Sequence, residues 1–169
     1  EVITYSLTSE ESYAKSAPPG AIQLPPDISA LVNPLSQDYR LLRTTLLPAL
    51  FECASFNINR NNPDFEIFEI AHVFGKAEET ISVGILLSGD KRAAWLKDYR
   101  PYTLYDLKGV LESLFDELNV KGYVFVPSQG GAPIFCIFVN GRVVGSIGAM
   151  PEVVKKQWGI KVKKDIFSP

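Results

Sequence analysis

The sequence predicts an α+β domain, an antiparallel sheet flanked by helices. Three observations carry this. Several β-rich runs are separated by turn signals, with only a few helices interspersed. Asn140-Gly141 sits between two such runs, and both central positions of a tight hairpin turn want positive φ. Leu104, Leu107, Leu111, Leu114, Phe115 and Leu118 recur at helical spacing as an amphipathic stripe. At 169 residues the chain is long enough for a single domain, residues 1–169, that hides about 70% of its unfolded surface.

Taken in order, Val2 to Leu7 alternates and reads as a strand. Thr8-Ser9-Glu10-Glu11 has capping-box spacing, with Thr8 as the cap of a short helix through about Lys15. Ala17-Pro18-Pro19-Gly20 stops it, and Pro25-Pro26-Asp27 is a second turn-rich stretch before Ile28 to Val32 and the Asn33-Pro34 turn. Leu42, Leu46, Leu50, Ala54 and Ile58 have helical spacing; Thr44 or Thr45 is the expected cap, which puts Pro48 in the first turn. Asn59-Arg60-Asn61-Asn62-Pro63 ends that helix.

Phe65 to Phe74 and Thr80 to Leu87 read as strands joined through Gly75-Lys76-Ala77-Glu78-Glu79. A loop carrying Trp95, Tyr99 and Tyr102 follows, and Thr103 caps the striped helix. Gly122 to Val126, Ile134 to Val139 and Arg142 to Ile147 are strands. Pro151 opens a last helix through about Trp158, Gly159 closes it, and Asp165 to Phe167 forms a final strand.

Composition narrows the function classes. Hydrophobic residues make up 46% and charged residues 21%, ordinary for a globular protein, and no apolar run is long enough to span a bilayer. A net charge of −2 argues against autonomous tight RNA binding, which calls for a basic excess. The chain opens Glu1-Val2-Ile3 without Met, which reads as a piece of a longer protein. Cys53 and Cys136 have apolar neighbours and read as small buried hydrophobes, which suits a cytoplasmic setting.

Chemical motifs are sparse. His72 is the only histidine, lies in a predicted strand and reads as structural; a Cys–His pair using either cysteine stays open, since such groups meet in space. One histidine and two scattered cysteines do not make a zinc site. Gly130-Gly131 reads as a turn with no helix N-terminus after it to cradle phosphate. Glu66 and Glu69 face opposite sides of their strand. Lys155, Lys156, Lys161, Lys163 and Lys164 form a basic cluster read as a solvated face.

Five collinear segments carry a resemblance. Glu1-Val2-Ile3-Thr4-Tyr5-Ser6-Leu7 resembles the "E-V-I-T-Y-S-F" opening of the catalytic-like module of phenylalanyl-tRNA synthetase β subunits. Asn33-Pro34-Leu35-Ser36 and Leu42-Arg43-Thr44-Thr45-Leu46-Leu47-Pro48 are similar to its "N-P-L-S … L-R-T-S-L-L-P-G-L". Phe68 to Phe74 resembles "F-E-I-G-x-V-F", Tyr105 to Gly109 "F-D-L-K-G", and Val144 to Val153 "G-x-x-G-x-L-H-P-E-V", with Met150 standing where the family has histidine.

The resemblance implies a class II aminoacyl-tRNA synthetase-like fold and a degenerate catalytic domain. It implies scaffolding of an α subunit that activates phenylalanine with ATP and magnesium, in an (αβ)₂ ligase where tRNA is bound only by the full assembly. Glu69 to Phe74 lacks the arginine that a working site of this class uses on the ATP α-phosphate, so the expectation is no catalysis and no cofactor in this domain. Asn33, Pro34, Arg43, Leu46, Leu47, Pro48 and Leu50 are the expected structural or subunit-interface residues. Arg43 is expected to order the Asn33–Ser36 turn or, as the second choice, to touch the partner subunit, and the helix from Leu46 to Ile58 to give one stripe to its own sheet and another to a partner. The alternative is a stand-alone synthetase-like paralogue that binds an amino acid or nucleotide.

Overall fold

Apolar and polar residues alternate through β3, Phe65–Phe74, and the computed structural model turns that alternation into two faces. Ile67, Glu69 and Val73 are buried while Glu66, Phe68, Ile70 and His72 point outward, as a period of two requires. The structure describes residues 1–17, 24, 28–75, 78–92, 99–128, 134–161 and 165–168. The predicted stops at 18–20 and 25–27, Lys76 and Ala77, Trp95, Gly130-Gly131, and Lys163 and Lys164 lie outside those residues.

The expected α+β class holds: one sheet has the strand order β3-β4-β10-β9-β8-β7, with four α-helices in the chain among the described residues. Here β4 is Glu79–Ser88, β7 Tyr123–Pro127, β8 Ile134–Val139, β9 Arg142–Ala149 and β10 Ile166–Ser168. Contacts divide the chain into two compact units: residues 1–62, 67–85 and 151–161, and residues 63–66, 86–150 and 162–169.

In the first unit the N-terminal strand is much shorter than expected. Only β1, Leu7–Thr8, is a strand, pairing antiparallel with β2, Leu41–Leu42. The reason lies in Thr4, whose N–H donates to the Glu69 carboxylate (3.1 Å) where a ladder would supply a backbone carbonyl. The helix α1, Glu10–Lys15, is capped by Ser9 and not by Thr8; Ser9 Oγ accepts from Ser12 N at 3.1 Å. A short 3-10 turn at Gln37–Tyr39, unforeseen in the sequence, is capped by Ser36.

The second helix, α2, spans Leu47–Asn59 with Pro48 in its first turn. Its cap is Leu46, which has no side-chain bond to give; Thr45 Oγ1 accepts from Leu47 N at 3.3 Å instead. Leu50 and Ala54 are fully buried, and Gly84 of β4 lets this helix close on the strand: a Cβ there would lie 2.6 Å from Leu50 Cδ1 and 3.2 Å from Leu46 Cβ. The last helix, α4, is Glu152–Gln157, with Pro151 as its cap and Gly159 at φ 67 just beyond it. Lys155 corrects the expectation of a solvated basic face: it is 1% exposed, with Nζ 2.7 Å from Glu152 Oε1, because the first turn of α4 puts the two on one side. Lys156 and Lys161 are exposed as expected.

In the second unit, the stretch read as a loop contains a small ribbon, β5 (Asp90–Arg92) paired with β6 (Tyr99–Pro101). Gly89 precedes it at φ 78, where a Cβ would lie 2.7 Å from the Pro63 carbonyl oxygen. The third helix, α3, is Leu104–Glu117; Thr103 caps it as expected, and Asp106 closes the capping box. Leu104, Leu107 and Leu111 are its buried stripe. Asn140 and Gly141 take φ of 50 and 80 between β8 and β9, the turn their sequence predicts.

Candidate functional site

Helix α2 presents two stripes. Pro48, Leu50, Phe51, Ala54 and Ile58 are buried. Ala49, Glu52, Cys53, Phe56 and Asn57 recur at i, i+3, i+4, i+7 and i+8 and line an open cleft of about 700 Å³ within the first unit. The opposite wall is the N-terminal segment Val2 to Tyr5 with part of α1; Asp38, Tyr39 and Trp158 complete the lining.

A buried ion pair holds that wall in place. Arg43 Nη1 donates to Glu69 Oε1 (3.0 Å) and to Thr4 Oγ1 (2.8 Å), while Nε donates to the His72 carbonyl (3.0 Å). Thr4 in turn donates from Oγ1 to Glu69 Oε2 at 2.8 Å, and Val2 N reaches the Phe68 carbonyl at 2.9 Å. With Thr4 pinned inward, its neighbours point out: Ile3 is 90% exposed and Tyr5 75%. Tyr5 packs edge-on against Tyr39 at 5.5 Å between ring centres, and Arg60 stacks on Phe56 at 3.5 Å. The result is a row of exposed apolar and aromatic groups on a rigid floor.

This geometry does not favour nucleophilic chemistry. Burial, and then the charges of Glu52 and Glu69, push the Cys53 thiol up from its ordinary value, so it stays protonated near neutral pH. His72 directs Nδ1 to Glu79, 2.8 Å away, rather than to either cysteine. Both thiols are free and half-buried, more accessible than their apolar neighbours implied. Cys53 belongs to the cleft stripe and Cys136 pairs with Val126 and Ser146, both exposed. Among the described residues no three His, Cys, Asp or Glu side chains are grouped to hold a metal ion.

Residues 1–167 match the family of the phenylalanyl tRNA synthetase beta chain CLM domain. The chain belongs to this family. A phenylalanine–tRNA ligase beta subunit of Carboxydothermus hydrogenoformans is 31% identical over 99% of this chain and 22% of that protein. The counterpart from Symbiobacterium thermophilum is 34% identical over 94% of the chain and 19% of its own length. The chain therefore spans about a fifth of the curated relatives it matches. The pyrrolysyl-tRNA synthetase of Desulfitobacterium hafniense superposes with a TM-score of 0.72 at 16% identity, over 99% of this chain and 57% of that one. That likeness shows the fold, which is class II synthetase-like as the motifs implied.

The motif residues of this beta-chain family fall into two groups. Arg43, Leu46, Pro48 and Leu50 are buried in the first unit, and Leu47 is half-buried. Asn33 is exposed and Pro34 half-buried, but Arg43 does not order their turn. Its hydrogen bonds run to Glu69, Thr4, Tyr5 and His72, because a buried guanidinium seeks the one carboxylate on the inward face of β3. Leu46 and Leu50 serve their own sheet; the stripe facing outward is the Glu52–Phe56 side of α2. The sequence does not single out Tyr39, Glu52 and Phe56; Tyr5 enters only within a motif, and Cys53 reads as a buried hydrophobe and not as part of a cleft. On α2 the same 3.6-residue period that marks the buried stripe also marks Glu52, Cys53 and Phe56, read one position over; Tyr5 and Tyr39, off the helix, carry no such signal.

Proposed function

We propose that this chain is a non-catalytic core module of a phenylalanine–tRNA ligase beta subunit, on which the catalytic alpha subunit docks through the cleft beside α2. The observation that carries the reading is the pairing of a pinned wall with exposed anchors. Ile3, Tyr5, Tyr39 and Phe56 are 90%, 75%, 46% and 56% exposed, and all line one cleft. Large apolar side chains gathered on a preorganised surface are the anatomy of a stable protein interface. Membership in the beta-chain family supplies the partner class, and the fold supplies a synthetase-like body with which an alpha subunit can associate.

The chemistry belongs to the partner in this reading. ATP, magnesium and phenylalanine are handled by the alpha subunit, tRNA is gripped by the whole cytoplasmic assembly, and the stretch Glu69 to Phe74 offers no arginine for a triphosphate. Equilibrium dialysis and amino-acid-dependent pyrophosphate exchange test this directly. The chain alone is expected to retain neither ATP nor phenylalanine and to exchange no pyrophosphate, while the same assays on its mixture with the alpha subunit register activity. Saturable micromolar binding of ATP or phenylalanine to the chain alone would instead make it a stand-alone ligand-binding paralogue.

A further inference from the structure

The charge left over in the cleft says what the partner must bring. Among the described residues its lining holds two cations, and both are engaged: Lys15 with Glu11 at 2.6 Å and Arg43 with Glu69 at 3.0 Å. Two carboxylates of the same lining, Glu52 on α2 and Asp38 in the 3-10 turn, have no cationic partner among the described residues. Both are exposed, and Asp38 is held in place by Ser36, whose Oγ donates to Oδ2 at 3.2 Å. The Cys53 thiol responds to the same field, with Glu52 among the causes that raise it.

The same lining carries the exposed rings of Tyr5, Tyr39 and Phe56, the last with Arg60 already over it. Aromatic faces beside carboxylates bind a cation on an apolar stem: the stem lies on the rings and the head meets the charges. The chain already uses this chemistry in the same unit, with Arg60 over Phe56 at 3.5 Å and Lys15 over Trp158 at 5.7 Å.

Resting on the docking reading above, we infer that the alpha-subunit segment seated in this cleft carries arginine or lysine side chains that pair with Glu52 and Asp38. An acidic or purely apolar segment would leave both carboxylates uncompensated as water is expelled, which opposes association.

The test is the affinity of this chain for a phenylalanine–tRNA ligase alpha subunit, followed by sedimentation velocity at low and at moderate salt. Compared are the natural chain, Glu52→Gln, Asp38→Asn and the double substitution, each checked by thermal melting; both sites are exposed, so melting should not move. Each neutralisation is expected to raise Kd about threefold to tenfold, and the double variant to lose most of the salt dependence. A double variant with the natural affinity and salt slope would overturn the basic complement while leaving the docking reading standing. A natural chain that does not associate at all would overturn the docking reading, and this inference with it.

Discussion

Arg43 Nη1 lies 3.0 Å from Glu69 Oε1, and the two side chains are only 4% and 2% exposed. The pair joins two stretches far apart in sequence and draws in Thr4, so one buried charge pair decides how the N-terminal segment is displayed. Removing one partner leaves the other charge buried and unpaired. Glu69→Leu alone is expected to cost about 3–5 kcal/mol of stability, measured by urea unfolding. Combined with Arg43→Met, most of that loss should return. A single substitution within 1 kcal/mol of the natural chain would contradict the burial of the pair.

Close packing at Gly84 gives a second expectation. With Leu50 Cδ1 2.6 Å from where a Cβ would stand, Gly84→Ala forces α2 away from its strand. The expected loss is about 1–3 kcal/mol. Leu50→Ala alone opens a cavity and should cost about 2–5 kcal/mol. The double variant should be more stable than the sum of the two losses predicts, because the methyl fills part of the cavity. Strict additivity in a double-mutant cycle would show that the two residues do not meet.

Asp106 sets an acid limit. Hydrogen bonds from Arg100, followed by those from Thr103, hold its carboxyl well below the usual carboxylate range, against the opposing effect of burial. A depressed folded-state pKa means the stabilisation is complete above the unfolded value of about 4 and is lost as pH falls through and below it. Asp106→Asn should therefore lower the melting temperature at neutral pH and flatten the decline between about pH 5 and pH 2. Parallel acid limbs in the variant and the natural chain would contradict the assignment.

Legibility in the sequence followed the range of the interaction. Local rules placed Thr103 as a cap, Asn140-Gly141 as a turn and Phe65–Phe74 as a strand with its natural boundaries, because each depends on neighbours within a few residues. The synthetase-like fold and the family followed from collinear motifs. What depended on distant partners was not legible. Val2 to Leu7 alternates like a strand, yet Thr4 answers to a carboxylate 65 residues away. Lys155 looked like one lysine among five and is buried beside Glu152. Glu69 did leave a trace: it shares the inward register of β3 with Ile67 and Val73, and a carboxylate in that position calls for a buried cation. Arg43 stands in a motif 26 residues away, and nothing local ties the two together.

The most direct test of the account is whether Phe56→Asp still assembles with the alpha subunit. Phe56 is 56% exposed and lies on the cleft face of α2, so the chain should stay folded, losing about 1–2 kcal/mol as the Arg60 stacking goes and a carboxylate enters the last helical turn. Sedimentation velocity of the mixture should show a complex with the natural chain and separate species with the variant. A variant that folds and assembles with undiminished affinity would contradict the placement of the interface.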